Sequence, residues 1–67
     1  MTLHDACVAY AEACDAYEAA AARSAAARRA GERGWQRLNT CAMEAHARMD
    51  AALRALGAVA REAVLGS

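Results

Sequence analysis

The larger apolar side chains in the first part of the chain recur at alternating intervals of four and three residues. They fall at Leu3, Cys7, Tyr10, Cys14, Tyr17 and Ala21. This spacing repeats every seven residues and is typical of a coiled-coil seam, in which one stripe of a helix packs against another helix. Thr2 followed by Asp5 resembles a capping box, so we expect this helix to begin near Leu3.

The same alternation returns later and continues almost to the end of the chain. It runs through Trp35, Leu38, Ala42, Ala45, Met49, Ala52, Leu56, Val59 and Ala63. This pattern predicts an amphipathic helix of about eight turns. The larger members of the two stripes form the predicted self-association seam, namely Leu3, Cys7, Tyr10, Cys14, Tyr17, Leu38, Met49, Leu56 and Val59.

Between the two stripes, residues 28–37 read RRAGERGWQR. A glycine just past an arginine-rich helical end is the usual left-handed cap, which favours helices at about 3–30 and 35–65 with a turn at about 31–34. The seven-residue phase nevertheless continues through Ser24, Arg28 and Gly31, so one long coiled-coil helix is an alternative. Because those three are poor core residues, the sequence favours a two-helix antiparallel hairpin.

Composition supports an all-α fold and a single domain over residues 1–67 that needs a partner. The chain has 22 alanines and no proline, and alanine has the highest helix propensity. A domain this short buries a small share of its surface and is marginal alone. One hairpin leaves much apolar surface exposed to solvent, whereas two hairpins can pack together into a four-helix bundle that buries it. We therefore expect a homodimer or a higher homo-oligomer.

The charges balance overall but are unevenly distributed along the chain. Residues 1–22 carry four acidic residues and no arginine, a net charge of −4, whereas residues 23–37 carry five arginines and Glu32, a net charge of +4. Overall neutrality argues against general affinity for nucleic acid. If two hairpins pack antiparallel, the acidic half of one lies near the basic turn of the other, and the charges set their orientation.

The turn region is the candidate site for a ligand or partner. Its residues are Arg28, Arg29, Arg33, Trp35 and Arg37. Arginine forks match phosphate and carboxylate geometry, and a tryptophan stacks on bases. In the competing structural interpretation the arginines interact favourably with the helix dipole at the end of the first helix, and Trp35 closes the end of the bundle.

No motif in the sequence indicates catalysis, a metal or a cofactor. Cys7, Cys14 and Cys41 have no zinc-site spacing, His46 has no second histidine one turn on, and the carboxylates are scattered. We interpret the cysteines as packing residues, with soft-metal binding by thiols as the competing hypothesis. The expectation is a protein that is not an enzyme and that uses no cofactor.

Together these features predict a non-enzymatic helical interaction module that self-associates and binds or regulates another protein, for example an inhibitor encoded by a phage or mobile element. The alternative is binding of nucleic acid or a nucleotide-like anion at the turn. Abundant Ala, Arg and Gly with no Lys, Ile or Phe fit a GC-rich bacterial or phage gene. The acidic N-terminal stretch and the lack of about 18 consecutive apolar residues predict a cytoplasmic protein without signal peptide or membrane span.

Overall fold

The computed structural model describes residues 1–66, which form two antiparallel α-helices joined by a short loop. Helix α1 spans Leu3–Arg29 and helix α2 spans Trp35–Leu65. The two helices pack side by side in a body of 54 × 14 × 13 Å. This confirms the all-α hairpin, and the single continuous helix does not form because the chain reverses direction between Arg29 and Trp35.

A reciprocal pair of hydrogen bonds starts α1. The backbone N–H of Asp5 donates to Thr2 Oγ1 at 3.1 Å, and the backbone N–H of Thr2 donates to Asp5 Oδ2 at 3.4 Å. Both donors belong to the first turn of the helix, where backbone N–H groups have no partner within the helix. The capping box predicted from the sequence is confirmed.

Two glycines in left-handed backbone conformations make the loop. Gly31 has a φ of 68°, and its N–H donates to the Arg28 carbonyl at 3.1 Å while the N–H of Glu32 donates to the Ala27 carbonyl at 3.0 Å. These two bonds form a Schellman motif, which ends a helix and satisfies its last carbonyls. Gly34, with a φ of 92°, then precedes the first residue of α2. The predicted left-handed glycine cap is confirmed.

Replacing the loop glycines should destabilise the hairpin through the backbone alone. A Cβ at Gly31, Gly34 or Gly57 meets nothing within 4 Å. We expect Gly31→Ala or Gly34→Ala to lower the free energy of unfolding by about 1–2 kcal/mol, since alanine is strained at positive φ. Gly57→Ala, inside α2, should instead raise it by about 0.5–1 kcal/mol. Urea denaturation of the three variants measures both signs, and a stabilising Gly31→Ala would contradict the cap.

Small side chains make the contact between the helices. Among the described residues, the buried ones are five alanines and one serine, and no large side chain is fully buried. Ala20 of α1 clusters with Ala42 and Ala45 of α2, and the half-buried Tyr17 packs against this cluster. Side chains this small allow two helix axes to approach closely. The hairpin therefore has a thin core, made mostly of methyl groups.

The α2 stripe predicted from the sequence faces α1. Its small members Ala42 and Ala45 are buried, and its large members are half-buried, namely Trp35, Leu38, Met49, Leu56 and Val59.

On α1 the contact combines the predicted stripe with the neighbouring one, since Ser24 is buried and Tyr10, Cys14, Tyr17 and Ala21 are half-buried. Ala6, Ala20 and Ala27 are buried there, while the predicted Leu3 and Cys7 are exposed. Each buried alanine lies one residue before a position of the predicted stripe. The alanines permit the closest approach, so α1 buries them most deeply, while Tyr10 and Tyr17 are half-buried at the edge of the contact.

Candidate functional site

An open groove of about 550 Å³ lies between the two helices next to the loop. Its floor is made of small side chains, Ala21, Ser24 and Ala42. Larger residues line the remainder, namely Tyr17, Arg28, Arg29, Trp35, Asn39, Met43 and His46, together with Ala25. The volume falls within the range of about 300–1,000 Å³ that is usual for ligand sites. The groove exists because the residues between its walls are too small to fill it.

At the loop end of the groove, an arginine lies over the tryptophan ring. The Arg28 Cζ is 5.2 Å from the centroid of the Trp35 ring, within the range of a cation–π contact. Arg29 also lines the groove, whereas Arg33 and Arg37 are exposed and are not among its lining residues. The structure therefore brings together three of the five predicted turn-site residues and leaves the other two outside.

At the other end of the groove, an aromatic ring meets a histidine. The rings of Tyr17 and His46 have centroids 5.2 Å apart and an interplanar angle of 73°, an edge-to-face arrangement. Asp50, one turn beyond His46, forms an exposed ion pair with Arg54 at 3.1 Å. His46, Asn39 and Met43 are groove residues that the sequence did not single out. The sequence holds one signal for them. Counting residues back from the turn along two antiparallel helices places these side chains level with the groove residues of α1.

One side of the hairpin carries a run of apolar side chains, which we call the apolar face. On α1 it is the stripe predicted from the sequence, which the helical period places beside the contact between the helices. On α2, the Tyr17–His46 and Arg28–Trp35 contacts fix the register. Counting from them by heptads sets Leu53 level with Tyr10. Its apolar members are Leu3, Cys7, Tyr10, Cys14, Tyr17, Ala21, Met43, Leu53 and Ala60, and the same side of α2 also carries the groove residues Asn39 and His46.

Large side chains remain open to solvent on the apolar face. Leu3 is 45% exposed, Leu53 is 47% exposed and Met43 is 66% exposed, while Tyr10 and Cys14 are half-buried. A hydrogen bond with the Cys14 thiol, one turn away on α1, raises the pKa of the Tyr10 phenol, and charge repulsion from the ionised thiol adds to the shift.

The opposite side of the hairpin, which we call the polar face, carries charges of both signs. It comprises Glu12, Arg23, Arg37, Glu44, Arg48 and Glu62, all of them exposed. Mixed charges at helical spacing are typical of a surface that faces water. The two sides of the hairpin are therefore unequal, and the apolar face is the one that gains from being covered.

Neither metal-binding clusters nor membrane-spanning helices are found within residues 1–66. No three His, Cys, Asp or Glu side chains there lie close enough together to hold a metal ion. The three cysteines are free thiols, of which Cys7 and Cys41 are exposed. Neither α1 nor α2 contains a segment that is both long enough and apolar enough to cross a bilayer.

Comparison with known proteins identifies no relative of this chain. No protein-family model matches it, and neither the curated proteins nor the solved structures contain a significant match.

Proposed function

We propose that this protein is a non-enzymatic helical interaction module. In this proposal two copies pack through their apolar faces into a four-helix bundle, and the bundle presents its polar faces to another protein. The observation that carries the proposal is the mismatch between a core of alanines and an open face of larger apolar side chains.

The energetics of burial support self-association. A buried methyl or methylene group contributes about 0.8 kcal/mol, whereas complete burial of a leucine or methionine side chain contributes about 1.5–3 kcal/mol. Within one hairpin, the residues that are buried are alanines and Ser24. Leu3, Met43 and Leu53 are only partly buried in one hairpin, and the rest of their stabilisation is gained only when something covers the apolar face.

The length and width of the hairpin also suit a dimer. One side of a body 54 Å long and 14 Å wide has a projected area of about 750 Å², and stable interfaces of standard size bury about 800 Å² per partner. A second copy brings an apolar face of the same length, so a symmetric pair covers both faces at once.

Sedimentation and concentration-dependent melting test the proposal together. We expect sedimentation equilibrium to show a dimer at micromolar concentration. We also expect the melting temperature to rise with protein concentration, because association stabilises the folded form by mass action. A folded, monodisperse monomer at micromolar concentration with a melting temperature independent of concentration would overturn it.

Binding of a protein partner is tested on the polar face, which the bundle leaves exposed. The wild-type protein is used to retain a partner from host extract, and we expect the double variant Arg23→Glu and Arg48→Glu to retain it no longer. Charge reversal at these positions repels an acidic contact surface on the partner. Both side chains are exposed, so the dimer should persist. Retention of the same proteins by the variant would count against the polar face as the binding surface.

A second candidate function is binding of nucleic acid or a nucleotide-like anion at the loop end. The observation that favours it is the groove, where Arg28 and Arg29 lie beside Trp35. Arginine offers paired donors to phosphate. Against it, one face of the Trp35 ring already carries Arg28, which leaves that face unavailable for stacking on a base.

Trp35 fluorescence tests this second candidate. If the groove binds phosphate, titration with ATP or a short oligonucleotide at low salt should change the emission, and added salt should weaken the response. Arg28→Ala and Arg29→Ala should then reduce affinity about tenfold each, as expected for a hydrogen bond to a charged group. Arg37→Ala is the matched control, because Arg37 lies outside the groove. No salt-sensitive response would remove this candidate.

A further inference from the structure

We propose that the second copy packs antiparallel across the apolar face, so that the region around Tyr10 and Leu53 of each protomer fills the groove of the other. This inference rests on the proposed function, because it names the occupant and the orientation of the same surface. It follows from the shape, the charge and the extent of that surface.

The shape of the apolar face differs between its two halves. Near the loop it is hollow, because Ala21, Ser24 and Ala42 form the floor of the groove. Towards the open end it is bulky, with Tyr10 level with Leu53 and a partly exposed Leu3 beyond them. An antiparallel pair sets the bulky half of each copy over the hollow half of the other. A parallel pair sets the two grooves against each other and leaves a void between them. The residues that line a void lose the van der Waals contacts that tight packing supplies.

Charge favours the same orientation. The loop end, residues 23–37, has a net charge of +4, and residues 1–22 have a net charge of −4. The part of α2 that runs back beside residues 1–22 adds no net charge, since from Leu38 onwards three arginines balance three acidic residues. Antiparallel packing therefore sets opposite charges against each other, whereas parallel packing brings the two basic loops together.

The extent of the face requires nearly complete overlap. One whole side of the hairpin projects about 750 Å² and the apolar face is part of it, so a large stagger between copies would leave too little contact for a standard interface. With complete overlap, the two-fold axis crosses the hairpin midway along its length, near Tyr17. Tyr10 and Leu53 of one copy then lie opposite Ser24 and Ala25 of the other copy, at the middle of its groove.

Distances between spin labels at the loops distinguish the two orientations. The label is attached to Glu32→Cys in a variant whose own cysteines are replaced, Cys7→Ala, Cys14→Ala and Cys41→Ala. In an antiparallel dimer the two loops lie at opposite ends, so we expect a label separation of roughly 50 Å, close to the 54 Å length of the hairpin. In a parallel dimer the loops are adjacent, and the separation falls below about 30 Å.

A label midway along the hairpin serves as the control. Ala47→Cys in the same background places it on an exposed position of α2, level with the expected two-fold axis. Because it lies at the midpoint of the hairpin, its separation should stay well below the 54 Å length of the hairpin in both orientations. A dimer with adjacent loops would overturn the antiparallel arrangement and leave the proposed function standing, whereas a wild-type protein that stays monomeric at micromolar concentration would overturn both.

A large side chain introduced into the groove tests whether Tyr10 and Leu53 of the second copy occupy it. Ala25 lines the groove and its neighbour Ala26 does not, although both are exposed on α1. We expect Ala25→Trp to raise the dimer dissociation constant at least tenfold, because the new ring takes the space of the incoming Tyr10 and Leu53. Ala26→Trp should leave it unchanged. Equal effects of the two variants, or a tighter dimer with Ala25→Trp, would overturn the inference.

A compensating variant separates displacement from misfolding. Combining Tyr10→Ala with Ala25→Trp empties the bulky position and fills the hollow one. We expect the double variant to bind its copy more tightly than Ala25→Trp alone, with helical circular dichroism unchanged. Additive weakening by the two substitutions would show that the two positions do not meet across the dimer.

Discussion

Leu53→Glu is expected to convert the dimer to a monomer at micromolar concentration. Leu53 lies on the apolar face and is 47% exposed in a single hairpin. Dimerisation buries only the exposed half of Leu53, which is worth about 1 kcal/mol, and each dimer contains the substitution twice, so the loss of burial alone raises the dissociation constant about 30-fold. The carboxylate adds to this effect, because an unpaired charge resists transfer out of water.

Val8→Glu is the matched control for this prediction. Val8 is also a large apolar side chain, 41% exposed, but the helical period places it on the outer side of α1, away from the apolar face. We expect its dissociation constant in sedimentation equilibrium to stay within about threefold of the wild-type value, as is usual for surface substitutions that change stability by about 0.5 kcal/mol. If both variants dissociate equally, the apolar face is not the interface.

The local backbone of this hairpin was predictable from short stretches of sequence. Thr2 and Asp5 form their capping box through atoms three residues apart. Gly31 supplies the left-handed residue of a motif whose bonds stay within residues 27–32. Because each feature depends on neighbours in the chain, the packing of the two helices does not change it.

The packing of α1 was harder to predict, because the interval pattern allows two stripes. Large residues such as Leu3 and Cys7 mark one stripe, and alanines such as Ala6 and Ala20 mark the next. A pattern weighted by side-chain size selects the first, but the buried alanines of α1 belong to the second, and the large residues of the first are half-buried or exposed. On α2 the two criteria select the same stripe, since Ala42 and Ala45 alternate with the larger seam residues, and there the prediction agrees with the structure.

The groove could not be predicted from either helix alone. Its wall from α1 includes Tyr17 and Arg28, and its wall from α2 includes His46 and Asn39. Which of these residues meet depends on the register between the helices, and the loop sets that register by its length and its two left-handed glycines. The sequence indicated the arginines and Trp35 through composition, but His46 carries no motif and is significant only through its contact with Tyr17.

Ala20→Leu is expected to lower the free energy of unfolding by about 1–3 kcal/mol, since extra methylene groups in a filled contact force the neighbouring groups apart. Ala20 is 6% exposed and clusters with Ala42 and Ala45 on the facing helix. For a domain of this size the change corresponds to a fall in melting temperature of about 5–15 °C. The melts must be compared at one protein concentration, because association also shifts the transition.

Ala22→Leu separates crowding from helix propensity. Ala22 is exposed on the same helix, two residues further along, and leucine is nearly as good a helix former as alanine, so we expect a change within about 0.5 kcal/mol. A loss confined to Ala20→Leu means that the alanines hold the helices at close range, which keeps Tyr10 and Leu53 partly exposed at the edge of the contact and available to a second copy. A stabilising Ala20→Leu would mean that the helices separate freely to bury larger side chains, and the apolar face would then lose its reason to stay open.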